Sequence, residues 1–445
     1  MGKSYHLVTT ITTLFVMLHA AESFAECSDA LLHDKHCLPG VEFDASLNGP
    51  PYPESGVSLL SRTALNDFPG GATSGTDIWG YVSPSGREYA LMGLNNGIAY
   101  VEVTDPGSPV MLDVIPHADE GQSDVKIYGE YAYSVTEGGG GLNVVDLSGI
   151  DGGTVSLVNV VTVVGLGQAH NLAINEDTGF AYICGSFDTE SDGGLLVLDL
   201  ADPVNPSFAG AWSQAYVHDA QVVTYTTGPY AGREIAFAYA GGVDDPALQI
   251  LDVTNKSAII RLGKAEYPNR AFAHQGWLSE DRKYVYLNDE LDETNRFLPT
   301  TTYVLDVSDL TNPFFATSFS IGLSSTDHNL TIRGNVLFEA NYTTGLRIFD
   351  ISSPFLVRSL GYFDTFPASD LPGFNGAWGV YADLPSGIVL VSDIDSGLFV
   401  LDVSEATADL PTLQGGGRWA TLILLGMIVL AALRLLRARL GAVRT

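Results

Sequence analysis

One pattern recurs seven times between Asp77 and Ser404, and a repeat of this period narrows the possible architectures before any local feature is weighed. Each copy closes on an apolar run around one acid: Glu102 in VEVTDPGSP, Asp146 in VVDLSG, Asp199 in VLDLADPVNP, Asp252 in ILDVTNKS, Asp306 in VLDVSDLTNP, Asp350 in IFDISSP and Asp402 in VLDVS. Successive acids are 44, 53, 53, 54, 44 and 52 residues apart. Each copy opens on a short apolar alternation led by Asp77, Ser123, His170, His218, His274, His328 or Trp378. A third run, such as FAYICG at Phe180 or GIVLVS at Gly387, lies between the two markers, and a fourth follows the acid. Four short strands per unit, separated by Gly, Asp-Pro and Asn-Pro, form the pattern of a β-propeller blade. The repeat therefore predicts an all-β, seven-bladed propeller.

The seventh unit lacks a fourth run, because SEATADLPTL follows Asp402 directly. The segment VSLLSRTAL, Val57 to Leu65, resembles the fourth strands VMLDVIP and FAGAWS, so it is expected to close the ring; docking elsewhere on the surface is the alternative. Closure would remove an exposed sheet edge and define one domain over residues 57–404. The 48 glycines and 21 prolines suit such a turn-dense protein.

The two ends carry different signals. Residues 1–25 combine Lys3, an apolar centre and the small-residue ending Ser23-Phe24-Ala25, the form of a secretory signal peptide. Export makes a Cys27–Cys37 disulfide the expected staple of an N-terminal segment, 26–56, while Cys184 in the apolar run AYICG reads as a buried free thiol. Residues 405–418 form a linker with an LPTL motif, 419–438 an apolar transmembrane helix, and 439–445 a basic tail. Arg434, Arg437, Arg439 and Arg444 place the tail in the cytoplasm and the propeller outside, in the periplasm or at the cell surface. A core helix is the alternative for the apolar stretch, but an all-β ring has no place for one.

The chain also resembles a known family. DIWGY with GREYAL, SDVKIYG, HNLAINEDTGFAY, HDAQ with GREI, HQGWL with NDELDE, DHNLTIRGN, NYTTGLRIFDI, and AWGVY with SGIVLVSDIDSGLFVLD follow in the order seen in the choice-of-anchor B family of LVIVD-repeat proteins. The resemblance spans about Cys27 to Ser404 and implies the fold and a surface location, with no established activity. The LPTL tail is similar to IPTL-type anchors, which implies a sorting enzyme as a partner; Leu410 stands where such tails have Ile.

In a propeller the first strand of each blade lines the central channel, so the seven leading residues should converge on one mouth. His170, His218, His274 and His328 occupy equivalent positions in consecutive units, with Asp77, Asp219 and Asp327 at or beside such positions. Imidazoles and carboxylates on one axis are ligands for zinc, iron or manganese. The competing account is that each histidine bonds a neighbouring blade and holds the ring in register; a metal-free ligand or catalytic role is the third. Loops between second and third strands should open on the same face. They carry Glu137, Asp188, Asp289, Glu290 and Asp393, hard oxygen donors suited to calcium or simply solvated acids.

A net charge of −31 excludes nucleic acid as a partner, since phosphate binding needs a basic footprint. HExxH, GxSxG and GxxxxGK[ST] are all absent, which removes the commonest zinc-protease, serine-hydrolase and phosphate-loop chemistries. Paired carboxylates of the glycosidase kind stay open. Two functions remain: a binding module for a protein or glycan, anchored to the membrane by its C-terminal helix, or a metal-dependent, hydrolase-like extracytoplasmic enzyme using the histidines. A deep mouth favours the enzyme; a mouth plugged by Trp79, Trp277 and Trp378 favours the module.

Overall fold

The computed structural model describes residues 52–118, 121–242, 245–408 and 410. The signal peptide, the Cys27–Cys37 pair, the transmembrane segment and the basic tail lie outside these residues. No helix among the described residues is long and apolar enough to cross a membrane.

Among the described residues there are seven antiparallel sheets, each with four strands running outward from a first strand and, in blades one to six, successive in the chain. The first strands are Gly75–Val82, Ser123–Tyr128, Asn171–Asn175, Asp219–Thr224, Ala273–Leu278, Asn329–Arg333 and Ala377–Tyr381. Each sheet is buried on both faces, and its residues alternate between the two interfaces with neighbouring blades. Seven apolar clusters result, one per interface; Val125 and Tyr100, for example, join blades one and two, and Leu390 and Met92 join blades seven and one. Cys184 is a buried free thiol in one of them.

The acid of each repeat has a local task. Asp146, Asp199, Asp252, Asp306, Asp350 and Asp402 each accept a hydrogen bond from the backbone N–H two residues on, at 2.8 to 3.1 Å. This starts the turn after the third strand, and aspartate has the side-chain length for it. Glu102, one methylene longer, instead faces Arg87 at 3.5 Å. In every blade the fourth strand then carries a register shift against the third, a bulge that increases twist as the blade widens outward.

Ser58–Thr63 is the fourth strand of blade seven: it pairs with Gly397–Asp402 and carries the same bulge, between Leu59 and Ser61. Two features depart from the sequence expectation. Glu54–Ser55 adds a fifth strand to blade six by pairing with Phe363 and Tyr362, so the N-terminal segment clamps two blades. The propeller also continues past Ser404: Leu410, assigned above to the linker, is buried with Val57 and Val403. Ala406 packs beside Gly56, whose N-terminal segment it meets through an N–H donated to the Gly56 carbonyl at 2.9 Å.

Candidate functional site

Ser123 pairs with Thr136 across the first hairpin of blade two, so the start of a first strand and the loop after a second strand share one end of the ring. At this end the leading residues meet. Asp77, Ser123, Asp124, His170, His218, His274, His328 and Trp378 line a cavity of about 10 Å³, room for roughly one water or ion.

The four imidazoles form an arc. Ring centres are 4.0 Å apart from His170 to His218, 4.2 Å from His218 to His274 and 4.2 Å from His274 to His328, and Trp378 follows at 4.6 Å. Gly185 makes the first step possible: its φ is +65°, and a Cβ there would lie 2.8 Å from the Cβ of His170.

Each histidine spends Nδ1 differently. His218 Nδ1 lies 3.0 Å from the carbonyl of His274, one blade on, and His328 Nδ1 lies 2.5 Å from the carbonyl of Trp378, again one blade on. A carbonyl can only accept, so both rings carry the proton on Nδ1 and leave Nε2 as a lone pair. His274 Nδ1 faces the His328 carbonyl without reaching hydrogen-bond geometry, and that carbonyl accepts from Asn288 Nδ2 at 3.2 Å. His170 Nδ1 instead meets Glu137 Oε1 at 2.7 Å.

These environments separate the charges. Burial lowers His218 and His274 well below the ordinary histidine range, and neighbouring imidazoles add to this. His328 is pushed down to about 3, chiefly by burial. Burial also acts downward on His170, but the hydrogen bond and charge of Glu137 outweigh it and raise the group. His170 is thus the imidazole of the four that holds a proton most readily.

Glu290 completes the site. Its carboxylate accepts from the Tyr342 hydroxyl at 2.7 Å and lies 3.7 Å from Nε2 of both His274 and His328. Burial raises it to about 7. His218, His274 and Glu290 bring three ligand atoms within 4.8 Å of one another, and no other histidine, cysteine or carboxylate trio among the described residues does so. Two imidazoles and a carboxylate are a ligand set for a transition ion such as zinc. In His218 the register role and the ligand role are therefore compatible: Nδ1 ties the blades while the Nε2 lone pair is left for a ligand.

Several sequence expectations need correction. Asp77 and Asp124 bind Lys126, which reaches Asp77 at 2.9 Å and lies 4.5 Å from the Trp79 ring centre. Burial raises Asp77 well above the ordinary carboxyl range despite the lysine, whereas at Asp124 burial is outweighed by the charge of Lys126 and by hydrogen bonds, which lower the group, so both are engaged with Lys126 and neither joins the trio. Asp219 accepts a hydrogen bond from the N–H of Ala220 at 2.6 Å and takes no place in the trio. Asp327 is buried and stands apart from the trio. The acidic loops are not solvated either. Asp188 accepts from the N–H groups of Glu190 and Ser191, Asp289 from those of Ala271 and Phe272, and Asp393 from those of Asp395 and Ser396. Asp188 and Asp393 staple their own loops and Asp289 the connection into blade five, leaving Glu137 and Glu290 as the carboxylates of that group that face the imidazoles. Trp277 packs between blades five and six and does not plug the mouth.

Fold and repeats define an all-β, seven-bladed propeller containing LVIVD repeats. The LVIVD repeat matches residues 121–149 and 166–213, which cover the first three strands of blade two and all four of blade three. No curated protein matches the chain. Among solved structures, U3-55K is similar at 10% identity, over 77% of this chain and 98% of that one, with a TM-score of 0.53. Hydrazine synthase of Kuenenia stuttgartiensis is similar at 13% identity, over 74% and 95%, with a TM-score of 0.50. A protein from Lactobacillus plantarum gives 13% identity over 72% and 88%, with a TM-score of 0.49. At such identities the first two speak for the fold alone.

Proposed function

We propose that the protein is an exported, membrane-anchored binding module of the choice-of-anchor B type, held by an IPTL-like tail. Its propeller engages a protein or glycan on the end where the histidines lie and breaks no bond. The observation that carries this is the cavity among the histidines: about 10 Å³ has room for an ion or a water, and no larger cleft is lined by these residues. The surrounding loops supply anchors instead, since Phe187, Phe297 and Leu371 are 71, 88 and 68% exposed at the same end. The test is binding of the purified protein to glycan arrays and surface proteins. A specific interaction should be weakened at least roughly tenfold by Phe187→Ala with Phe297→Ala. Turnover of a substrate, lost in His218→Ala with His274→Ala, would overturn the proposal.

A second reading is supported by the trio of His218, His274 and Glu290. In it the mouth holds a zinc, iron or manganese ion that polarises a ligand group or activates water. Elemental analysis of the purified protein tests it: one equivalent of metal, lost in the double histidine variant with the ring still folded, is the expected result. Absence of stoichiometric metal, with lower stability in the variant, leaves the histidines as ties between blades.

A further inference from the structure

Six of the seven blade interfaces contain 13 to 16 buried apolar residues, while the interface between blades five and six contains seven. Three buried carboxylates lie near the end of this interface where the histidines are. Asp292 and Glu293 come from the short helix Asp292–Arg296 after the second strand of blade five, and Asp327 from the connection into blade six; none is more than 2% exposed. The Tyr303 hydroxyl donates to one Asp292 oxygen at 2.5 Å. Asp292 Oδ1, both oxygens of Glu293 and both of Asp327 meet no donor.

Two buried amides add independent donors. Asn288 gives Nδ2 to the His328 carbonyl at 3.2 Å, and Asn341 gives Nδ2 to Glu339 at 3.0 Å. Those bonds fix both amide orientations, and each Oδ1 is left buried without a donor. No lysine or arginine among the described residues forms an ion pair with the three carboxylates. Buried Glu234 shows the contrast: it receives Lys256, Asn175, Thr178 and Tyr182.

Buried oxygens without hydrogen partners require either protons or a cation. A proton on Glu293 is shared with Asp292, but Asp327, which stands near both, still meets no donor. We propose that Asp292, Glu293 and Asp327, with the amide oxygens of Asn288 and Asn341, bind a calcium ion that ties blade five to blade six. A set made of oxygen alone selects a hard cation, and calcium accepts carboxylates, amides and water in irregular numbers, whereas magnesium demands a tight octahedron. The three carboxylates are not all within 4.8 Å of one another, so their side chains close on the ion as it enters. This site shares no ligand with the histidine trio.

The test uses the full-length protein, stripped with chelator and titrated with calcium chloride by calorimetry and thermal denaturation. One calcium ion should bind above the weak background of surface acids and raise the melting temperature. Asp327→Asn and Glu293→Gln should each weaken that binding at least tenfold, while His218→Ala should leave it unchanged. The stripped Asp327→Asn protein should melt above the stripped wild type, since one buried charge is gone. Absence of a tight site in the wild type overturns the proposal without reference to any variant. So does tight binding that survives both carboxylate substitutions or disappears in His218→Ala.

Discussion

At the residue scale the repeated acid is a backbone device. Asp199→Ala removes the bond to the Ala201 N–H and is expected to cost about 1 kcal/mol in chemical denaturation. Glu102→Ala, which loses only an exposed 3.5 Å contact, should stay within ~0.5 kcal/mol. Equal costs at the two positions would contradict the turn role. Asp393 gives a pH prediction. Burial raises its carboxyl to about 7 from the ordinary 3.8, so the folded state keeps a proton that the unfolded state has released. Stability from this group is therefore present at low pH and lost as pH rises between about 4 and 7. The difference in melting temperature between wild type and Asp393→Asn should follow that slope and flatten above about 7; a constant difference would refute it. The histidines were legible because they lead four repeats in register. Glu290 drew notice only as a loop acid, since nothing in the sequence distinguishes it from Asp289, which turns the other way.

At the element scale, ring closure depends on the segment before the first repeat. Ser58–Thr63 covers the edge of blade seven and Glu54–Ser55 the edge of blade six. Deleting residues 54–63 should uncover both edges, lower the melting temperature by roughly 10 °C or more and promote aggregation on heating. Scanning calorimetry with light scattering checks this, and an unchanged transition would mean that closure does not use these strands. The six-residue strand was readable from its apolar run and the missing partner in unit seven. The two-residue strand is too short to carry a period, and only its pairing with Tyr362 and Phe363 reveals it.

At the scale of the whole molecule, the C-terminal limit of the domain lies beyond the last repeat. A chain ending at Leu410 should melt like the full protein, whereas one ending at Ser404 should melt lower, because Ala406 and Leu410 leave the cluster around Val57 and Val403. Equal melting of the two would place Leu410 outside the cooperative unit. By itself the sequence determined the number of blades, the strand order within each and the turn after each third strand, because these obey local backbone rules that repeat with the same residues in every unit. The tertiary structure alone decided which polar groups meet. His218, His274 and Glu290 are brought together by rotation about the ring axis and by the loop after Asp289, while Asp77 is drawn to Lys126 and Asp327 turns toward blade five. A repeat records what each blade needs to fold; the direction of a side chain at an interface depends on the neighbouring blade, and that information is spread over residues about fifty positions apart.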